Sequence, residues 1–472
     1  MNEFIASLNL GISIAIPLIV GQAVLCATFR KPLPRLLNYS LSYGIGLGGV
    51  VLWMLLLYTL GFSISRLTTS LPLLGISCAI HLWNFLRKSA EEPTDMAPLF
   101  LGQTVDGRMS LLEKSLWSII WLYIIVSLIL VVIKALTLPI MTYDAMATVA
   151  YKAKLFFFED RPPSLAMLPH KTYPLLVAFS ETWTALNLGY WHDAWVKIVF
   201  PVILLAFTVV HYYFLKACSN WKWASAGLAL LLTSNLIVFH ASISYRDIHL
   251  MYYNCCTIMA IALWFKSRNP RFLILAGFLA GLGSFTKLEG TAFLSIYTTL
   301  LGLSSIYLYR TNFLATVQNF MRFIIPSGLI CGWYHFVKIV YGALKDGSGA
   351  IDKTGFELDL RNLALLPDVI LTYRDNMFFT GNWNLIWLAA LMSFILSFGR
   401  KQSAETYILL ISLFLFIGLY TATALFSTNY VWIAGEKNIT TLSRLFLHFF
   451  PLAVQYVVLS NFSALNHTRR IS

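Results

Sequence analysis

The chain has 472 residues, 58% of them hydrophobic and only 12% charged, where a soluble domain carries about 25% charged residues. With a mean hydropathy of +0.71, a water-soluble fold is excluded, and the 15% aromatic content suits Trp and Tyr at two membrane interfaces. A net charge of +13 would raise nucleic acid as a partner of a soluble protein, but here Lys and Arg sit in short loops between apolar runs, where they set orientation, and no nucleic-acid partner is expected.

The opening stretch MNEFIASLNLGISIAIPLIVGQAVLCATFRK lacks a basic leading region and holds an apolar run long enough to span, so it reads as a first transmembrane helix rather than a cleaved signal. A span needs about 20 apolar residues. That rule predicts an all-α polytopic membrane protein with about thirteen spans, at roughly 4–28, 38–62, 66–86, 115–136, 194–216, 223–241, 249–265, 272–286, 290–309, 323–341, 384–398, 404–425 and 442–461. The spans group into an N-terminal three-helix segment (1–114), a core (115–341) with a large loop at 137–193, and a C-terminal part (342–472) with one long loop and three helices.

The basic clusters Arg30/Lys31/Arg35, Arg87/Lys88/Arg108/Lys114, Lys216/Lys222, Lys266/Arg268/Arg271, Arg310/Arg322, Arg400/Lys401 and Arg469/Arg470 all fall on one side if the N-terminus starts outside. The positive-inside rule makes that side cytoplasmic. The C-terminus is then cytoplasmic, and the loops 137–193, 242–248, 287–289, 342–383 and 426–441 lie outside. In the first of these, AMATVAYKAKLFFF and PLLVAFSETWTAL read as amphipathic interfacial helices. The loop 342–383, with Gly347, Ser348, Gly349 and a polar run to Asp359, reads as mobile. Of six cysteines, Cys26, Cys78, Cys255, Cys256 and Cys331 lie in predicted spans and Cys218 beside a basic loop. No CxxC or Cys/His spacing appears, so neither a structural disulfide nor a zinc site is expected.

Five groups of ionisable residues collect on the outer side. Asp144, in IMTYDAMATVA, is either a helix N-cap or a general base at the membrane boundary. Asp247 shares a loop of a few residues with Arg246 and His249, more charge than topology needs; a cap or a weak surface pair is the alternative. Lys287 and Glu289, in TKLEG, break the polarity of a helix end, and a cation there suits an anionic ligand. Arg444 and His448 stand i, i+4 on the last span; Arg within a span is costly and is usually paired or functional, although snorkelling and a satisfied core His compete. His170, Lys171 and Tyr173 mark a Pro-containing turn.

Taken in order, a carboxylate in the first large loop, the HxxYPLL element at 170–176, the RDIH run at 246–249, TKLEG at 286–290 and SRLFLHFFPL at 443–452 resemble the GT-C superfamily of membrane glycosyltransferases, in the branch of protein mannosyltransferases and bacterial lipopolysaccharide-modifying transferases. The likeness runs over about 115–460. It implies a polyprenyl-phosphate sugar donor, a glycan or lipid acceptor, and an active site facing the periplasm of a bacterial inner membrane. By motif, Asp144 and Asp247 match the family's catalytic acidic positions. Lys287 and Arg444 match donor-phosphate positions, with Lys171 and Lys152 in reserve. Arg246, His249, Glu289, His170, Tyr173 and His448 stand in support, and Trp183, Trp191 and Tyr253 would line the sugar site. Many members carry two adjacent acidic residues in the first loop, whereas Asp144 is followed by Ala145. No cofactor is implied, and a divalent metal stays open.

Two rival classes share this composition. A transporter or flippase usually places ionisable groups near the midplane, whereas Lys134, Lys197, His335 and Lys338 fall near predicted span ends. An O-antigen polymerase or ligase usually relies on a large late loop rich in Arg and His, and the 342–383 loop offers Lys345, Lys353, Arg361 and Arg374.

Overall fold

The computed structural model describes residues 3–29, 33–86, 97–103, 109–159, 164–309, 312–342, 358–436 and 440–471. Of the 342–383 loop read as mobile, residues 343–357 lie outside the described residues. Among the described residues every regular element is helical.

In chain order the helices are α1 (Glu3–Thr28), α2 (Arg35–Thr59), α3 (Arg66–Leu86), α4 (Leu111–Thr137), α5 (Tyr151–Phe158), α6 (Leu176–Leu188), α7 (Val199–Cys218), α8 (Trp221–Leu232), α9 (Asn235–His240) and α10 (Asp247–Ser267). There follow α11 (Arg271–Ser284), α12 (Leu288–Leu308), α13 (Phe313–Val340), α14 (Leu366–Phe378), α15 (Ile386–Ser397), α16 (Ala404–Phe426), α17 (Tyr430–Ile433), α18 (Thr441–Leu447) and α19 (Phe450–Ile471). A π-helical segment, Ala145–Ala150, leads directly into α5.

Each predicted span coincides with helix, but not all are long enough to cross a bilayer alone. Among the described residues nine helices meet the length and apolarity of a span, and a tenth does so if α18 and α19, bent by 50° at a short break, count as one. The remaining three predicted spans correspond to the broken pair α8 and α9, to α11 with 14 residues and to α15 with 12. At 1.5 Å per residue, 14 residues cover about 21 Å, short of a hydrocarbon core of about 30 Å. The chain is a multi-pass helical membrane protein whose long helices are interleaved with short ones.

Of the short helices, α6 and α11 pack inside the bundle, whereas α15 buries only one face. The segment PLLVAFSETWTAL is not an interfacial helix: every residue of α6 except Leu186 is buried. The reason is legible in the residues themselves. Leu176, Val177, Ala178 and Phe179 cover all sides of the first turn, the hydroxyls of Ser180, Thr182 and Thr184 bond the carbonyls one turn back, and Glu181 accepts from Ser244, so these polar groups of α6 find partners inside the bundle. The second half of the predicted 342–383 loop is also helical, as a 3₁₀ turn (Leu360–Leu365) and α14.

Small residues set the closest crossings, as they do where lipid removes the hydrophobic drive between helices. A Cβ at Gly46 of α2 would stand 1.7 Å from the Pro17 carbonyl oxygen of α1. A Cβ at Gly290, in TKLEG, would stand 2.1 Å from the Gly283 carbonyl oxygen, so α12 begins hard against the end of α11. The N-terminal helices are tied to the core by hydrogen bonds. The Trp183 indole donates to the Ser13 carbonyl (2.8 Å), and the Tyr252 and Tyr253 hydroxyls donate to the carbonyls of Ser40 (3.0 Å) and Gly44 (2.8 Å). Trp183 and Tyr253, expected at a sugar site, are therefore packing residues between helices.

Candidate active site

Four chain segments far apart in sequence meet at one end of the bundle. They are the entry to the π segment (Asp144), the start of α10 (Asp247), the residue before α12 (Lys287) and α18 (Arg444). Asp247 is the centre. Its carboxylate has no solvent exposure and accepts from Lys287 Nζ (3.0 Å), His448 Nε2 (3.0 Å) and Arg444 Nη2 (3.1 Å) and Nε (3.2 Å). His240 Nδ1 stands 3.7 Å away. Such a carboxylate has its lone pairs taken up by the groups around it and none left to accept a further proton. The cap and surface-pair alternatives for Asp247 do not hold.

Arg444 then reaches past Asp247. Its Nη1 donates to Asp144 Oδ2 at 2.6 Å, so one planar guanidinium spans two carboxylates. The Arg444 side chain is 21% exposed and that of Asp144 42%. Asp144 is the open member of the pair, and its side chain makes no cap bond to the following helix. Lys287 divides itself between Asp247 and Glu289 Oε1 (2.8 Å). Burial works against its ammonium, but the Asp247 and Glu289 carboxylates hold it above the usual lysine range.

The break between α18 and α19 changes how the last span supplies this cluster. Arg444 and His448 do not stand on one face of a continuous helix, because α18 ends at Leu447 and the chain turns by 50°. They nonetheless reach the same carboxylate from separate directions. His448 is held on both nitrogens, Nε2 by Asp247 and Nδ1 by the Tyr420 hydroxyl (2.8 Å), as a neutral ring with its proton on Nε2 permits. The carbonyl freed by the break accepts from Asn254 Nδ2 (2.7 Å), and Tyr297 donates to the other side of that amide (2.6 Å).

Tyrosine rings carry the two arginines. Arg444 lies over Tyr245 and Arg246 over Tyr173, each 4.6 Å from the ring centroid. Arg246 turns away from its neighbour Asp247 and donates through Nη1 to Thr148 Oγ1 (3.3 Å), whose own hydroxyl donates to the Asp144 carbonyl. The π segment carrying Thr148 is thereby tied to both ends of the cluster. Such segments recur at functional sites because they re-aim a side chain within a helix.

The turn at 170–173 stands behind Tyr173. His170 adopts a left-handed φ of 48°, an unusual conformation for a residue with a side chain. Lysines hold it there: Lys152 donates to the His170 carbonyl (2.7 Å), and Lys338 to the Thr172 carbonyl (3.0 Å) beside the Tyr334 hydroxyl (3.1 Å). Lys152 is fully buried, so the reserve phosphate role expected for it gives way to that of a clamp. Lys171 is half-buried in the same turn. His249 is buried with its ring edge-on to Phe200 at 4.9 Å, and among the described residues neither ring nitrogen has a hydrogen-bond partner, so it does not support Asp247. Trp191 donates to Asp193 (2.6 Å), which pairs with Lys154 (3.1 Å).

Sequence patterns missed His240, Tyr245, Thr148 and Tyr420. His240 and Tyr245 flank the short loop before Asp247, a signal that proximity could have raised. Tyr420 lies in the middle of an apolar run and carries none.

The chain matches no protein-family model, no curated protein and no solved structure. Among the described residues no group of three or more His, Cys, Asp and Glu side chains is arranged to hold a metal ion.

Proposed function

We propose that this protein is an inverting membrane glycosyltransferase. It would move a sugar from a polyprenyl-phosphate donor to a hydroxyl acceptor on the extracytoplasmic face, with Asp144 as the base. The observation that carries this reading is the Arg444 bridge, which places a solvent-reached carboxylate beside two cations anchored on a buried one.

The two acidic residues divide the work. Asp247 is occupied by cations and serves to position them. Asp144 keeps one oxygen outside the Arg444 bond and accepts the acceptor's proton. The deprotonating oxygen attacks the anomeric carbon from the face opposite the phosphate. The carbon–oxygen bond to phosphate breaks, and the electron pair leaves with the lipid phosphate through an oxocarbenium-like state. Lys287 has a third N–H beyond its two carboxylate partners, and Arg444 has two beyond its three. These donors face the developing phosphate charge. A phosphate leaving group needs no separate general acid.

The test is transfer in membranes expressing the wild type or Asp144→Asn, supplied with radiolabelled polyprenyl-phosphate sugars. Asn keeps size and most hydrogen bonding but removes the base, and a fall of about 10²–10⁴-fold at unchanged expression is expected. Equal transfer by both proteins would sink the base assignment. No transfer by either from any donor would favour the transporter reading.

A further inference from the structure

The opposite end of the bundle holds a cavity that the transferase reading does not use. It has a volume of about 550 Å³ and opens where α15 ends and α16 begins, against Tyr456 of α19. The 21 residues of α10 separate the two ends, since Asp247 starts that helix and Lys266 stands near its finish beside Glu405 of α16 (3.1 Å). At 1.5 Å per residue the separation is about 30 Å.

Three features of this cavity point to an anion. Arg400 and Lys401, adjacent and exposed, line it. The first turn of α16 also lines it, through Thr406 and Tyr407, and a helix N-terminus favours negative charge. The third feature is independent of both. Gln402 lines the cavity, is only 9% exposed, and among the described residues neither its amide nitrogen nor its amide oxygen has a hydrogen-bond partner. An unpartnered buried amide is costly, and a ligand that accepts from its N–H₂ and donates to its oxygen removes that cost. The neighbouring acid, Glu405, does not line the cavity and is engaged by Lys266. Phe394, Phe398 and Leu410 make the remaining wall apolar.

We propose that this cavity binds the headgroup of an anionic phospholipid from the surrounding bilayer. The phosphate lies between Arg400, Lys401 and the start of α16, a headgroup hydroxyl reaches the Gln402 amide, and the acyl chains follow Phe394 and Leu410. The site is independent of the transferase reading.

Thermal unfolding of the full chain in detergent, titrated with phosphatidylglycerol, tests it. A saturable upward shift is expected for the wild type. Each basic group near an anionic lipid contributes about a fivefold factor, so Arg400→Gln/Lys401→Gln should bind roughly 30-fold more weakly. Gln402→Leu should also weaken binding. A charge-matched variant at exposed positions elsewhere, Arg35→Gln/Lys114→Gln, should keep the wild-type response. The proposal falls if phosphatidylcholine gives the same shift or if Arg400→Gln/Lys401→Gln binds as the wild type does. It also falls if the charge-matched variant loses as much, which would make net charge the cause. Inorganic phosphate alone reproducing the shift at equal concentration would replace the lipid by a free phosphate.

Discussion

The two ends of the bundle carry ionisable residues in different arrangements. At the far end the pairs are one-to-one and partly open: Lys222 with Glu113 and Lys266 with Glu405, while Arg400 and Lys401 face outward. At the site end one fully buried carboxylate collects Lys287, Arg444 and His448, and Arg444 continues to a second carboxylate. Orientation in a membrane requires basic residues in loops, and it is satisfied without any network. A cluster that buries a charge and surrounds it from four segments exceeds what orientation needs. The architecture of the charges, more than their number, separates the two ends.

Removing one acid at each end is the strongest way to break this comparison. Asp247→Asn strands Arg444 and Lys287 without their shared counter-charge, and a loss of about 3–5 kcal/mol is expected, as when one partner of a buried pair is removed. Glu113→Gln breaks a part-exposed pair and should cost no more than about 1 kcal/mol. Denaturation of the two variants in the same detergent decides it, and equal losses would dissolve the distinction.

Arg444→Lys sharpens the comparison by keeping the charge and removing the fork. A lysine cannot span Asp247 and Asp144 together. Transfer should fall on the order of 10²–10³-fold, with much less change in stability. A lysine variant as active as the wild type would mean that the bridge between the carboxylates is incidental.

The smallest effect concerns Glu181 of α6, buried below the site loop, where its carboxyl bonds the Ser244 hydroxyl. Burial, only partly offset by Ser244 and Lys197, pushes it up to about 8 from its ordinary 4.5. Because the folded value is raised, its share of stability is complete below 4.5 and is lost as pH rises through about 8. Melting temperature should decline between pH 5 and 8, and Glu181→Gln should flatten that decline. An unchanged slope in the variant would assign the pH dependence elsewhere.

Hydropathy made the long helices legible, because a run of about 20 consecutive apolar residues matches the thickness of the hydrocarbon core. It misjudged α6, since a short apolar helix buried by its neighbours has the same composition as one lying at an interface, and it read α11 and α15 as spans although they have 14 and 12 residues. The loops that supply Asp144, Asp247 and Lys287 were legible as charge where little was required. Their partners were not: the Arg444 bond to Asp144 joins positions 300 residues apart, and no local period encodes it. The same holds for Tyr420 against His448 and for Arg246, which leaves its sequence neighbour for Tyr173.

The π segment after Asp144 constrains how a related sequence could share this site. A π turn carries one residue more than the α turn it replaces, so it offsets the phase of the residues before it by about 100° relative to those after it. Asp144 meets Arg444 on one side of that offset, and Lys152 and Phe156 are buried on the other. An alignment that closes a single-residue gap within 145–150 would preserve every residue type and still rotate the carboxylate off its partner. Equivalence at this position is therefore a matter of backbone phase, and matching an acidic letter in the column does not establish it.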